Sequence, residues 1–154
     1  MTPDALDVRL VTLLTDEPRI GVLEASRRLG VARATVQARL DKLVASGAVS
    51  SLGPQLDPTR FGFPVTAFVS LELTQSLGGP AARELESIPE VLEIHSVSGA
   101  ADLLLRVVAR SNDDLQRVLD TVLGVESVVR ASSSIALTTF LDHRTLPAFA
   151  EAAR

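Results

Sequence analysis

The apolar residues of this 154-residue chain keep a helical spacing as far as Gly47 and change to a strand spacing from Val65 onward. The change falls at Asp57-Pro58-Thr59-Arg60-Phe61-Gly62-Phe63-Pro64, a connector punctuated by Pro and Gly. It divides the chain into a unit near 50 residues and a longer one, each able to bury a core of its own. Aromatic residues make up only 3% of the chain, so both cores must be built from Leu, Val, Ala and Ile.

Three helical patterns fill the first unit. Leu6, Leu10, Leu13 and Leu14, with Val11, form the first; Asp4 stands where an N-cap would, Asp7 lies in the first turn, and Pro18 ends it. Val22 or Leu23, with Ala25, Ser26 and Leu29, forms the second, and Gly30 stops it in the place of a left-handed cap. The third runs from about Arg33 to Ser46, with Val36, Leu40, Leu43 and Val44 on one stripe, and Gly47 ends it. Val49 to Leu52, Gly53-Pro54 and Gln55-Leu56 then read as a small β-hairpin.

The second unit reads in the order β-α-β-β-α-β. Strands are expected over Val65–Leu73, Val91–Val97, Leu103–Ala109 and Val128–Thr139. One helix begins at Pro80 and stops at Pro89; the other runs from an Asn112 cap, with Asp113 and Asp114 in its first turn, to Val122. This is the ferredoxin-like split βαβ order, with two helices on one face of a four-stranded antiparallel sheet. The strands read as apolar enough for the other face to need a second subunit. A short helix is expected from Leu146 to Arg154.

Net charge is −4, which argues against nucleic acid until it is split along the chain. Residues 1–50 carry seven basic against six acidic side chains, and the remainder eight against thirteen. The basic residues crowd into positions 27–42, where only Asp41 opposes them. On the third helix, Ala34, Ala38, Asp41 and Ala45 lie opposite the buried stripe. Thr35 and Lys42 flank one edge, with Arg39 between them and the stripe, and Gln37 lies on the other flank. Small residues at Ala34 and Ala38 would let the backbone approach a groove floor. Thr35 and Gln37 can bond base edges, and Arg33, Arg39 and Lys42 can hold phosphates. Arg27 and Arg28 close the preceding helix, where a helix-turn-helix crosses the DNA backbone. The same residues are also compatible with an ordinary solvated helix face.

The chain resembles the Lrp/AsnC family, the feast/famine transcriptional regulators of bacteria and archaea. The resemblance rests on Leu6–Leu14 followed by Asp16-Glu17-Pro18-Arg19-Ile20, and on Leu29-Gly30-Val31-Ala32-Arg33-Ala34-Thr35-Val36. It continues through Arg39-Leu40, Leu43, Gly47-Ala48-Val49, Leu56-Asp57-Pro58, Phe61-Gly62-Phe63 and the Ser98-Gly99-Ala100-Ala101-Asp102 turn. It implies an α+β chain: a winged helix-turn-helix domain over 1–50, a hairpin or linker over 51–64, a ferredoxin-like αβ sandwich for dimerisation and effector binding over 65–142, and a C-terminal helix or tail over 143–154. It implies double-stranded DNA as partner, homodimers that assemble to octamers, and a small effector, such as an amino acid, bound between subunits. Carried over by position, the effector site uses Ser98, Gly99, Ala100, Ala101 and Asp102, with Ser132, Ser133 and Ser134 from a neighbouring subunit. Asp102 would pair with an ammonium, or it stabilises only its own turn. Two positions depart from the family pattern: Ala32 replaces the usual N-cap Ser, and Ala101 replaces the turn's aromatic residue, leaving room for a bulkier or apolar effector.

Some proteins that resemble this family are sirohaem decarboxylases, which use His and Arg. Here His95 lies in the strand before the Gly99 turn and His143 after the last strand, and a His in a strand is most often structural. An assembly module without DNA function is a third reading. No Ser-His-Asp order, P-loop, GxGxxG after a strand, HExxH or paired-carboxylate signature is evident, so no enzyme and no cofactor is expected. The absence of Cys excludes disulfides and thiolate metal sites and points to the cytoplasm. No secretory leader and no apolar run of 18 residues is evident, so no membrane partner is expected.

Overall fold

A computed structural model describes residues 2–74 and 79–154. The elements run α1 (Ala5–Asp16), α2 (Val22–Leu29), α3 (Arg33–Ala45), β1 (Val65–Leu73), α4 (Gly79–Glu86), β2 (Val91–Ser96), β3 (Leu103–Ala109), α5 (Asn112–Leu123), β4 (Val128–Ile135) and α6 (Leu146–Glu151), with a 3₁₀ turn at Pro58–Phe61. They form two compact units. One comprises the chain up to Pro54 together with Phe140–Arg154, the other Gln55–Thr139.

The first unit is a helical domain whose corners follow from local chemistry. Asp4 accepts from the N–H groups of Leu6 and Asp7 at 2.9 and 3.0 Å, and the Asp7 carboxylate accepts from the Asp4 N–H at 3.0 Å. This reciprocal capping box fixes the start of α1. Gly30 takes φ 69°, and the Val31 N–H reaches back to the Ser26 carbonyl at 3.1 Å, a left-handed turn that aims the chain into α3. Leu10, Ala25, Leu29, Val36 and Leu43 form the core. Leu10 and Leu43 are essentially fully enclosed, each contributing about 1.5–3 kcal/mol of apolar burial. Phe149 of α6 packs against the same core, so the C-terminal tail folds in with these helices. Val44, expected on the buried stripe of α3, is 44% exposed. It lies about 100° round the helix from Leu43, beyond the reach of the packing helices.

The hairpin expected over 49–56, and with it a stranded wing, is not formed: no strand lies between α3 and β1 among the described residues. The Val49 N–H closes the end of α3 on the Leu43 carbonyl at 3.1 Å. Ser51 Oγ accepts the Gly53 N–H at 2.9 Å, and Pro54 has no N–H, so the turn lacks donors for a ladder.

The second unit is an antiparallel sheet of order β2-β3-β1-β4. Ala67, Val69 and Leu71 of β1 pair with Val107, Leu105 and Leu103 of β3, all buried on the face that α4 and α5 cover. Ala81 and Leu85 of α4, and Leu115, Val118 and Val122 of α5, complete that core. Ser111, not Asn112, caps α5: its hydroxyl accepts the Asp114 N–H at 3.1 Å, while Asp114 accepts the Arg110 N–H at 2.9 Å. β4 ends at Ile135 rather than Thr139, because β1 begins just after Pro64 and offers no further partner past the Ala136 N–H on Thr66.

Alternation along the strands gives the open face a mixed character. It carries Thr66, Phe68, Ser70 and Glu72 of β1, Leu104, Arg106 and Val108 of β3, Glu93 and His95 of β2, and Arg130, Ser132 and Ser134 of β4. Arg106 donates to Glu93 at 3.1 Å, and Arg130 lies 3.7 Å from Glu72. The open face, expected to be apolar enough to need a second subunit, thus carries polar and charged side chains beside Phe68, Leu104 and Val108, and the register turns many of the strands' Leu and Val inward.

Candidate DNA interface and ligand region

Val36 and Leu43 pin α3 to the first core, and this decides what its outer surface offers. Arg33, Ala34, Gln37, Ala38 and Lys42 are exposed, and Thr35 is half-buried. Ala34 and Ala38 make a low ridge that admits close approach of a flat surface or groove floor. At 100° per residue, Arg33 and Lys42 fall on opposite flanks of that ridge, about 13 Å apart along the axis. Neither makes an ion pair among the described residues. Their placement on opposite flanks suits contacts to the two walls of a major groove. Ala32, in extended conformation, starts the helix with no side-chain cap. The N–H groups of Arg33 and Ala34 are therefore presented outward at the positive end of the helix dipole.

Three of the basic residues expected to contact DNA are engaged elsewhere. Arg39 donates to Asp4 and, at 3.1 Å, to the buried Asp7, so it bolts α3 to the start of α1. The carboxylates of Asp4 and then Asp7 hold its guanidinium more firmly protonated. Reciprocally, the Asp7 N–H and then Arg39 lower the Asp4 carboxyl below its ordinary value. Arg28 donates to Glu24 at 3.3 Å and to Glu17, and its pKa is raised by Glu24 first. Arg27 lies 3.6 Å from Glu24 and is the more exposed of the pair. The acid-poor window of 27–42 is real in sequence, but α1 and the loop after it supply carboxylates from outside the window. Arg39, expected to hold a phosphate, here clamps α3 to the start of α1.

One further pair on this surface was not anticipated. The Gln37 amide nitrogen donates to Asp41 at 2.8 Å. The i, i+4 spacing was visible in the sequence, where Asp41 was counted only as a charge.

In the second unit, the Ser98–Asp102 turn joins β2 to β3. Gly99 has φ 119°, a conformation that side chains disfavour. Asp102 holds the turn in place: its N–H donates to the Leu71 carbonyl at 2.8 Å, and its Oδ2 accepts the Leu73 N–H at 2.8 Å. The carboxylate thereby stitches the turn to the end of β1. Ser98, Gly99 and Ala100 are exposed and Ala101 is half-buried. The three serines do not act as one patch. Ser132 and Ser134 oppose Ser70 and Phe68 on the open face, whereas Ser133 opposes Val69 on the helix side. Leu71 pairs with both Leu103 and Ala131, so the turn and Ser132 share one end of the sheet, separated by β1. Two surface depressions, one around Glu17–Gly21 with Glu24 and one around Ala82, Glu86 and Val91–Ile94, do not include this turn.

His95 lies on the open face 3.2 Å from Glu93, and His143 lies 3.9 Å from Asp142 beyond the last strand. Among the described residues no cluster of His, Cys, Asp and Glu is placed to hold a metal ion, and no helix is long and apolar enough to cross a membrane.

Comparison with known proteins agrees with both units. The AsnC-type helix-turn-helix profile matches residues 4–44, and the Lrp/AsnC ligand binding domain profile matches residues 66–146. The fold is similar to that of Escherichia coli AsnC, with a TM-score of 0.86 at 24% identity over 96% of this chain and 100% of that one. A feast or famine regulatory protein from M. tuberculosis, solved in complex with L-methionine, is 30% identical, with a TM-score of 0.80 over 92% of this chain and 96% of that one. The HTH-type transcriptional regulator FL11 of Pyrococcus horikoshii is 24% identical over 144 residues, 94% of this chain and 95% of its own.

Proposed function

The chain belongs to the Lrp/AsnC family of DNA-binding transcriptional regulators with a ligand-binding domain, not to a family of enzymes, and on that premise we propose how it works. It is a sequence-specific regulator that presents paired copies of α3 to successive major grooves, with the Ser98–Asp102 end of the sheet binding an amino acid between subunits. The observation that carries the reading is the outer surface of α3: an alanine ridge flanked by Arg33 and Lys42, both outside any ion pair among the described residues.

A single short helix buries little surface, so useful affinity requires at least two held at fixed spacing. Assembly is supported by apolar side chains a monomer would leave wet: Leu52, Leu56, Phe61, Leu137, Phe140 and Leu141 are all more than half exposed. The second units form a dimer, and dimers assemble further, to an octamer by family resemblance.

An apolar amino acid of the methionine type is the favoured effector. Ala101 leaves space at the turn, and the M. tuberculosis relative was solved with L-methionine. The exposed amides of the Gly99–Ala100 segment suit a carboxylate, and Asp102 has a second oxygen for an ammonium group. Binding between subunits biases their placement and hence the fit of the paired helices to DNA. A cytoplasmic location follows from this role. A thermal-shift screen over the amino acids tests the ligand half: stabilisation by methionine or another apolar amino acid is expected, and stabilisation by none of them contradicts it.

A further inference from the structure

Asp41 stands on the face of α3 that the proposed function turns toward DNA, 80° round the helix from Arg33 and beside Ala34 and Ala38. A carboxylate there repels phosphate, so its placement calls for a role that offsets the repulsion. The geometry points to one: we propose that Asp41 is a positioning residue that sets Gln37 to read adenine. This rests on the reading of α3 as the DNA-contacting helix.

The argument is one of donors and acceptors. An ionised carboxylate only accepts, so the Gln37 group facing Asp41 at 2.8 Å must be the amide nitrogen. That fixes which way the amide points. Oε1 and the second N–H of Nε2 are left on the outer side, an acceptor beside a donor. Adenine in the major groove offers the complement, the N6 donor beside the N7 acceptor. Guanine offers two acceptors, O6 and N7, and would face Oε1 with a like group. Without Asp41 both N–H groups of Nε2 are free to donate to guanine as well as to adenine, and the amide loses rotameric order before binding. Both residues are exposed and one helical turn apart, so the pair is formed before DNA arrives. Ala34 and Ala38 keep the neighbouring surface low, so Gln37 can reach a base edge.

The test is selection of bound duplexes from a randomised library with full-length protein, followed by sequencing, for the wild type and for Q37A, D41A and D41N. The wild type is expected to prefer adenine at one position of each half-site by about tenfold or more. Q37A should erase that preference and leave the other positions unchanged. D41A should relax it while strengthening binding to unrelated duplexes, because a negative charge is removed. D41N, whose amide can donate to Oε1 of Gln37 as well as accept from its Nε2, no longer fixes the Gln37 amide, so it should relax the preference as D41A does and share the stronger general binding. A pair that merely stabilises the helix predicts that D41A weakens all binding alike. An unchanged adenine preference in D41A, or no position sensitive to Q37A, overturns the inference while leaving DNA binding intact. Wild-type protein that retains no duplex overturns the proposed function, and this inference with it.

Discussion

Arg39 on α3 lies 3.1 Å from the buried carboxylate of Asp7 on α1, and the same guanidinium holds Asp4, the N-cap of that helix. A basic residue of the helix proposed to face DNA is thereby engaged within its own unit. The contact ties the angle of α3 to the capping box that starts α1.

Replacing Arg39 by Ala should leave Asp7 buried with one fewer cationic partner. The thermal midpoint is expected to fall by several degrees, on the order of 5 °C. If the guanidinium stays with Asp4 and Asp7 in the complex, the salt slope of DNA binding by the folded variant should stay unchanged; a shallower slope would make Arg39 a phosphate contact as well. Differential scanning calorimetry and a salt titration check the two halves separately.

Acid should loosen the same corner. The Asp4 carboxyl is lowered below its ordinary value, so its folded form favours the charged state. Its contribution is full above the unfolded pKa, near 4, and is lost as pH falls through the lower folded value. Asp57 and Asp114 are lowered as well, by Thr59 and by the Arg110 N–H respectively, and add to the same trend. An Asp4→Asn variant keeps a capping oxygen and should lose part of the fall in stability between about pH 5 and pH 3. Denaturant midpoints measured across that range decide it.

The start of α3 should be improvable. Ala32 already has extended N-cap geometry but no oxygen to offer. Ala32→Ser should stabilise the first unit by about 1 kcal/mol. Urea unfolding with an unchanged m-value would register it; no gain would mean that the outward N–H groups are already well satisfied by water.

At the turn of the second unit, the structural and ligand roles of Asp102 can be separated. Asp102→Ala removes the acceptor for the Leu73 N–H and should cost about 1 kcal/mol. Asp102→Asn keeps an acceptor and should restore most of that stability. If the carboxylate also pairs with an effector ammonium, the Asn variant should fold normally yet lose the thermal shift given by methionine. A normal shift in Asp102→Asn would confine Asp102 to holding its turn.

The order of elements was legible in the sequence because their ends are chemically marked. Asp4, Gly30 and Pro64 each leave the backbone few alternatives, and β1 and β3 have the expected bounds. The hairpin after α3 was misread because Val49 and Leu52 have strand character, while the fate of the Gly53 N–H depends on a serine hydroxyl two residues away. The partners of Arg39 were invisible to a local charge count, since Asp4 and Asp7 arrive from more than 30 residues away. The polar share of the open face was not legible for a similar reason. Composition counts Leu and Val, but only register says which face they occupy.

The most direct measurement is duplex DNA affinity across a salt series, by fluorescence anisotropy, for the wild type and an R33A/K42A double variant. The account predicts tight binding by the wild type that falls linearly on a log–log plot. The slope should be shallower by about two in the double variant, one for each phosphate contact, with folding stability essentially unchanged. Equal slopes in the two proteins, or no binding to duplex DNA at low salt, would contradict it.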